Sequence, residues 1–229
     1  VITRSHAVFT LNFVAGWVDA AGFLALAGAV RAFPSFMSGN STKVVADVVS
    51  GDFSLARLVT VVVLAFMAGA FIARLINNGT RRRESAALAG VAGVVWFALA
   101  GVLAGWSDYP VLLLLALGMG MINRALQGRD GYTVLTFVTG AIVTIASDIA
   151  DAISGRGEWR QVLQPLSIWG AILSGAAAGG LLTLNVGLHA GLFIPALIIS
   201  LLSIVNALGK LEPAEGPQDG HPAGFRQHG

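Results

Sequence analysis

Six separate runs of the chain, at about 9–30, 55–77, 86–106, 110–128, 163–184 and 187–208, are each close to twenty residues long and almost wholly apolar. A bilayer core about 30 Å thick is crossed by roughly 20 apolar residues in helical form. Within that core a backbone can satisfy its own polar groups only as a helix or a closed barrel. Runs this long, without strand-like alternation, are helices. The fold class that follows is all-α and polytopic, with six transmembrane helices. Only 11% of the residues are charged and mean hydropathy is +0.77, whereas soluble domains carry roughly 25% charged residues.

The same composition excludes several chemistries. There is no cysteine, so disulfides, thiolate catalysis and Cys-ligated metals are out. The four histidines, His6, His189, His221 and His228, are too scattered to form a metal centre. No nucleotide-binding loop, His-Glu metal motif or nucleophile elbow occurs, so no cofactor is expected and the chain does not read as an enzyme. A net charge of +2 gives no reason to expect nucleic acid. The first apolar run is long enough to span and reads as a retained helix rather than a cleaved signal.

Two more segments, 35–51 and 136–153, are helix-like but shorter or more polar. The first contains "FPSFMSGNSTKVVADVVSG", with a proline, two glycines, several hydroxyls, Lys43 and Asp47. Basic residues favour the cytoplasmic side. If both segments enter and leave on one side of the membrane, then Arg81, Arg82, Arg83, Arg124, Arg129, Arg156, Arg160 and Lys210 all fall inside, with Arg31 and Arg57 outside. Both termini are then cytoplasmic. The expected domain is a single membrane unit over 1–209. Residues 210–229, rich in Gly, Pro and alternating charge, are expected to be a disordered cytoplasmic tail.

The odd segments also match each other. "FMSGNSTKVVADV" lies over "FVTGAIVTIASDI", pairing Ser38 with Thr139, Gly39 with Gly140 and Asp47 with Asp148. Upstream, "GWVDAA" lies over "GMINRA", pairing Gly16 with Gly120 and Asp19 with Asn123. Downstream, "AFMAGA" lies over "AILSGA", pairing Gly69 with Gly175. Matched blocks in the same order point to duplication, with halves of about 1–106 and 107–209. Three crossings per half make the halves face opposite ways, the inverted 3+3 plan in which interrupted helices meet near the midplane.

The candidate site follows from this plan: Asp19, Ser38, Gly39, Asn40, Lys43, Asp47, Asn123, Thr139, Gly140 and Asp148. Asp19 lies inside an apolar span, where a charge costs at least about 2.5–3.5 kcal/mol on insertion scales. It reads equally as a solute, cation or proton contact and as a helix-to-helix hydrogen bond, since its mate Asn123 is neutral. Lys43 and Asp47 lie four apart and pair along one helical face, more often a structural arrangement. Asp148 repeats Asp47, whereas Thr144 stands opposite Lys43.

The blocks "GWVDAAGFLAL", "FMSGNSTK", "AFMAGAFIARL", "GMGMINRAL" and "TFVTGAIVTIASDI", spread over 16–149, resemble the YoaK-like family of bacterial inner-membrane proteins, a domain-of-unknown-function family. Ser38 stands where that family commonly has Thr, Ile122 where it has Gln, and Ala141 where it has Thr, which thins the polar lining of the second half. The resemblance implies a multi-pass bacterial inner-membrane protein. The residues suggest a small secondary transporter or facilitator of a small polar solute or ion. The alternative is an accessory or assembly subunit of a membrane complex. The lipid bilayer is the expected partner, and the pattern is compatible with a homo-oligomer.

Overall fold

A computed structural model describes residues 2–26, 30–128, 131–132 and 138–212. It contains eight helices among those residues: α1 (Arg4–Leu26), α2 (Met37–Val49), α3 (Phe53–Ile76), α4 (Arg81–Leu103), α5 (Asp108–Ala125), α6 (Val138–Ile153), α7 (Trp159–Val186) and α8 (Leu188–Ala207). Between α5 and α6, β1 (Gln127–Gly128) pairs antiparallel with β2 (Gly131–Tyr132). The helices α1, α3, α4, α7 and α8 are long and apolar enough to cross a membrane. The expected fourth span is α5, with 18 residues; Asp108 in its first turn and Arg124 in its last dilute its apolar stretch, and it is not among those five.

The two odd segments form short helices of 13 and 16 residues, roughly 20 and 24 Å at 1.5 Å per residue. Neither reaches across a hydrocarbon core about 30 Å thick. Each folds back sharply onto the next helix. In the α2–α3 turn Gly51 adopts φ +85° and the Asp52 N–H donates to the Asp47 carbonyl at 2.8 Å. In the α6–α7 turn Gly155 adopts φ +71° and the Arg156 N–H donates to Asp151 at 2.9 Å. Both are left-handed glycine caps with the long backbone bond of a Schellman turn. Accordingly α2 packs on α3, and α6 on α7.

Helix directions follow from named contacts. Tyr109, at the start of α5, donates to the Leu58 carbonyl near the start of α3, and Asn77 after α3 donates to the carbonyls of Arg124 and Ala125 at the end of α5. Thus α3 and α5 run parallel. So do α1 and α7, since Gly175 lies on Phe13, Gly179 on Trp17 and Gly180 on Leu24. The crossings are backbone on backbone. A methyl group at Gly16 would strike the carbonyl of Ile172, and one at Gly175 the carbonyl of Phe13. In the other pair, Gly69 sits on the Leu117 carbonyl and Gly120 on that of Phe66. Small residues permit such close approach where helices pack without a hydrophobic drive between them.

One end of the bundle gathers the termini. Ile2 and Leu211 form a parallel bridge. Arg4 donates from its guanidinium to Glu84 at the head of α4 at 2.8 Å, with both side chains buried, and also to the Glu212 carbonyl. A buried pair of this kind depends on both members. Residues 210–212, placed by sequence in the tail, are therefore ordered here, and Leu211 is buried; residues 213–229 lie outside the described residues. Arg81 touches Gly209 at this terminal end, and the ends of α3 and α5 lie there too, because α4 begins where α3 stops.

Candidate functional site

Asp19 is the sixteenth residue of α1, seven before its end, so it lies about 10 Å from the helix terminus. Its carboxylate does not reach the glycine turn at 38–40. Ser35 holds it instead: the Ser35 N–H donates to Oδ1 at 2.7 Å and the Ser35 hydroxyl donates to Oδ2. Pro34, buried against Gly22 of α1, fixes the backbone direction just before this residue.

Around the carboxylate is a cleft of about 30 Å³, lined by Ala15, Gly16, Asp19, Ser35, Phe36, Val138 and Ile172. Phe36 immediately precedes α2, and Val138 is the first residue of α6. The N-terminal ends of the two short helices therefore meet at Asp19, one helix running from there toward the far end and the other toward the terminal end. The cleft can hold about one water molecule. A larger cavity, about 380 Å³, lies apart from it between α4, α7 and α8, walled by Leu99, Leu103, Leu182, His189, Ala190, Phe193 and Ile194. Its apolar walls suit an acyl chain and offer a polar solute almost nothing.

The other sequence candidates separate by role. Asn40 is buried, and its amide is fully engaged: Nδ2 donates to the Phe33 carbonyl at 2.7 Å and Oδ1 accepts from the Phe33 N–H at 3.1 Å. It is a clamp on the loop that carries Ser35. Gly39 is required by the Phe36 ring packed against it. Lys43 donates to both oxygens of Asp47 at 2.9 Å, as the spacing predicts. Asn123 is buried and donates to the Met119 carbonyl one turn back, outside the walls of the cleft. Ser38 and Thr139 are exposed, while Gly140 and Asp148 are half-buried on α6. Phe137, the repeat mate of Phe36, lies outside the described residues.

Sequence reasoning missed Ser35, Phe36 and Ile172. The first carried a usable signal, a hydroxyl directly after a proline and ahead of a short polar helix. Ile172 carried none, because an isoleucine wall is indistinguishable in sequence from any lipid-facing isoleucine. Among the described residues, no three acidic or histidine side chains gather as a metal would need.

The chain belongs to the family described as "Protein of unknown function (DUF1275)", which matches residues 7–205. It is also similar to the UPF0700 transmembrane protein RA0705 of Rhizobium meliloti (strain 1021), with 28% identity over 197 residues, covering 86% of this chain and 83% of the relative. No solved structure matches it. The motif resemblance to a membrane family of unknown function is thus supported by both sequence comparisons, and the protein is a multi-pass membrane protein.

Proposed function

We propose that this member of the DUF1275 family is a small secondary transporter or facilitator for a small polar solute or ion, built as an inverted repeat. The observation that carries the reading is the head-to-head meeting of α2 and α6 at Asp19, inside the bundle and from opposite ends of it. Half-length helices whose ends meet at a polar group within the membrane are the usual construction of a transporter site.

Several contacts support the repeat. Gly16 rests on Ile172 and Gly120 on Phe66, while Gly175 rests on Phe13 and Gly69 on Leu117. Exchanging the halves converts each contact into its partner at the offsets of the sequence blocks. The mate of α1 is α5, which runs the opposite way, so the relating axis lies in the membrane plane. Positions 38, 41, 42, 45, 46 and 49 of α2 and 139, 142, 143, 146, 147 and 150 of α6 are exposed in the same register. On this reading the two exposed faces together form one side of a path across the membrane. The reading counts six crossings, including α5, and two re-entrant helices.

The terminal end carries Arg81, Arg82 and Arg83 at the head of α4 and Arg156 and Arg160 around the head of α7. By the positive-inside rule it is the cytoplasmic end. A helical bundle in a bacterial chain belongs to the inner membrane, since outer-membrane proteins are typically barrels. No enzymatic role is proposed.

One observation favours the accessory-subunit reading: the Asn40 amide is occupied by Phe33 and Met37, so part of the polar segment is structural. A stabilisation screen of purified protein against small polar solutes separates the two. A solute that binds one state raises apparent stability by mass action. A transporter gives a hit that Asp19→Asn weakens and that crosses reconstituted vesicles. No hit, together with co-purification of a fixed partner, favours the accessory subunit.

A further inference from the structure

Asp19 ties together two packed groups of helices. On one side α1 is locked to α7 by the Gly16 and Gly175 crossings, and α6 folds back on α7. On the other, α3 is locked to α5 by Gly69 and Gly120, and α2 folds back on α3. The carboxylate belongs to the first group, and Ser35, in the loop that Asn40 clamps to α2, belongs to the second.

The dimensions select what this cleft can hold. At about 30 Å³ it has room for about one water-sized species. Its donors narrow the choice further. One carboxylate oxygen receives a backbone N–H, which cannot turn away to face a cation, and the remaining wall atoms are those of Ala15, Gly16, Phe36, Val138 and Ile172. No side-chain oxygen besides those of Asp19 and Ser35 lines the cleft for a sodium ion, whereas a proton needs only the carboxylate.

Resting on the transport reading above, we propose that Asp19 is the coupling-proton site of this protein and that its tie to Ser35 is the latch the proton releases. Hydronium gives its proton to a carboxylate oxygen and leaves as water; Asp19 becomes a neutral acid. The Ser35 bonds then lose their charge assistance, and charge-assisted bonds are roughly twice as strong as neutral ones. The α1–α7 group is thereby freed to tilt against the α3–α5 group.

No other ionisable group lines this cleft. On α2, Lys43 and Asp47 pair with each other two turns along. Asp148 and Asp151 of α6 lie ten or more residues beyond Val138, and Arg160 of α7 lies twelve residues before Ile172. On α5, Asp108 and Arg124 sit at the helix ends. His189 lines the apolar cavity at the head of α8.

The experiment uses the full chain in lipid, which has no native cysteine to remove. Infrared difference spectra on acidification read proton binding: wild type should gain a protonated-carboxyl band that Asp19→Asn lacks and Asp47→Asn keeps. Spin labels on cysteines at Val49 and Leu184, both exposed near the far end of the two groups, read motion. The distance distribution should shift on acidification, stay fixed in Asp19→Asn, and shift again in Asp19→Glu. Replacing sodium by choline should change neither signal. Melting in detergent identifies any variant that has not folded, and Asp19→Glu supplies the second chance.

Loss of the carboxyl band difference overturns the proton assignment, as does a dependence on sodium. A pH-dependent distance change that persists in Asp19→Asn places the coupling elsewhere and leaves the transport reading standing. Proton uptake with no change of distance overturns the latch and, because nothing moves, counts against a moving carrier as well.

Discussion

The short helices α2 and α6 occupy equivalent places and differ in how they are held. Both end in the same glycine turn and fold back on a long neighbour. Yet α2 buries Asn40 and Asp47, carries an internal ion pair, and is anchored through its loop to Asp19. In α6 no residue is fully buried, and Ala141 stands where α2 has Asn40. The long helices keep their matching crossings in both halves, whereas the polar devices are concentrated in one. On the proposed repeat the lesson is a division of labour: backbone crossings recur in both pairs of long helices, while the polar anchors gather around α2.

The largest effect tests where the halves agree. Gly16→Leu and Gly120→Leu each force a side chain into a backbone carbonyl that cannot move aside, and both should abolish accumulation of folded protein. The milder Gly16→Ala and Gly120→Ala should each cost about 1–3 kcal/mol, as overpacking does, and by similar amounts. Thermal or denaturant unfolding in detergent measures this. A strong effect at Gly16 beside a neutral one at Gly120 would break the equivalence of the two crossings.

A smaller effect tests where the halves differ. Asn40→Ala leaves the N–H and carbonyl of Phe33 without partners, and each loss is worth about 1–3 kcal/mol where the group is dry. The net destabilisation should be about 2 kcal/mol. At the equivalent place in α6, Ala141 is half-buried and has no amide to clamp a loop, so Ala141→Asn should change stability by less than Asn40→Ala does, by about 1 kcal/mol or under, the centre of the range for point substitutions. Equal responses would mean that α6 is clamped as α2 is.

The sequence made the frame legible because its rules are coarse. Apolar length located the six long helices, five of them long and apolar enough to cross a membrane, and glycine with polarity located the two short helices to within about two residues. The Lys43–Asp47 pair followed from helical spacing. What stayed hidden depends on how separate elements meet. Nothing local told that Asp19 would be held by Ser35. Nor could sequence show that Asn40, polar and beside a glycine, would spend its amide on Phe33 and Met37. Spans are written in composition; partners are set by tertiary packing.

The ion pair gives a still smaller contrast. Asp47→Asn removes a contact between a buried carboxylate and a half-buried ammonium, worth about 1 kcal/mol, the upper end of the range for exposed pairs. Asp148 has no ion partner among the described residues, so Asp148→Asn should be neutral. Raising salt should change the gap between the two variants little, because screening acts weakly on a partly buried pair. A larger loss at Asp148 than at Asp47 would reverse the division of labour.

The smallest stability effect belongs to the exposed face that both short helices share. Ser38→Cys and Thr139→Cys replace exposed side chains, so melting should be unchanged to within about 0.5 kcal/mol. Their chemistry with a charged, membrane-impermeant thiol reagent should nevertheless differ by side. Position 38 lies at the head of α2, which opens toward the far end, and position 139 lies at the head of α6, which opens toward the terminal end. If the face lines a water path, Ser38→Cys reacts from the far side and Thr139→Cys from the terminal side. Cysteines at 42 and 143, one turn further out, should then react faster than those at 38 and 139. If lipid covers the face, none of the four reacts from either side, because the thiolate that attacks the reagent does not form in hydrocarbon. That outcome would leave the two helices equivalent in shape only and would remove the pathway on which the transport reading depends.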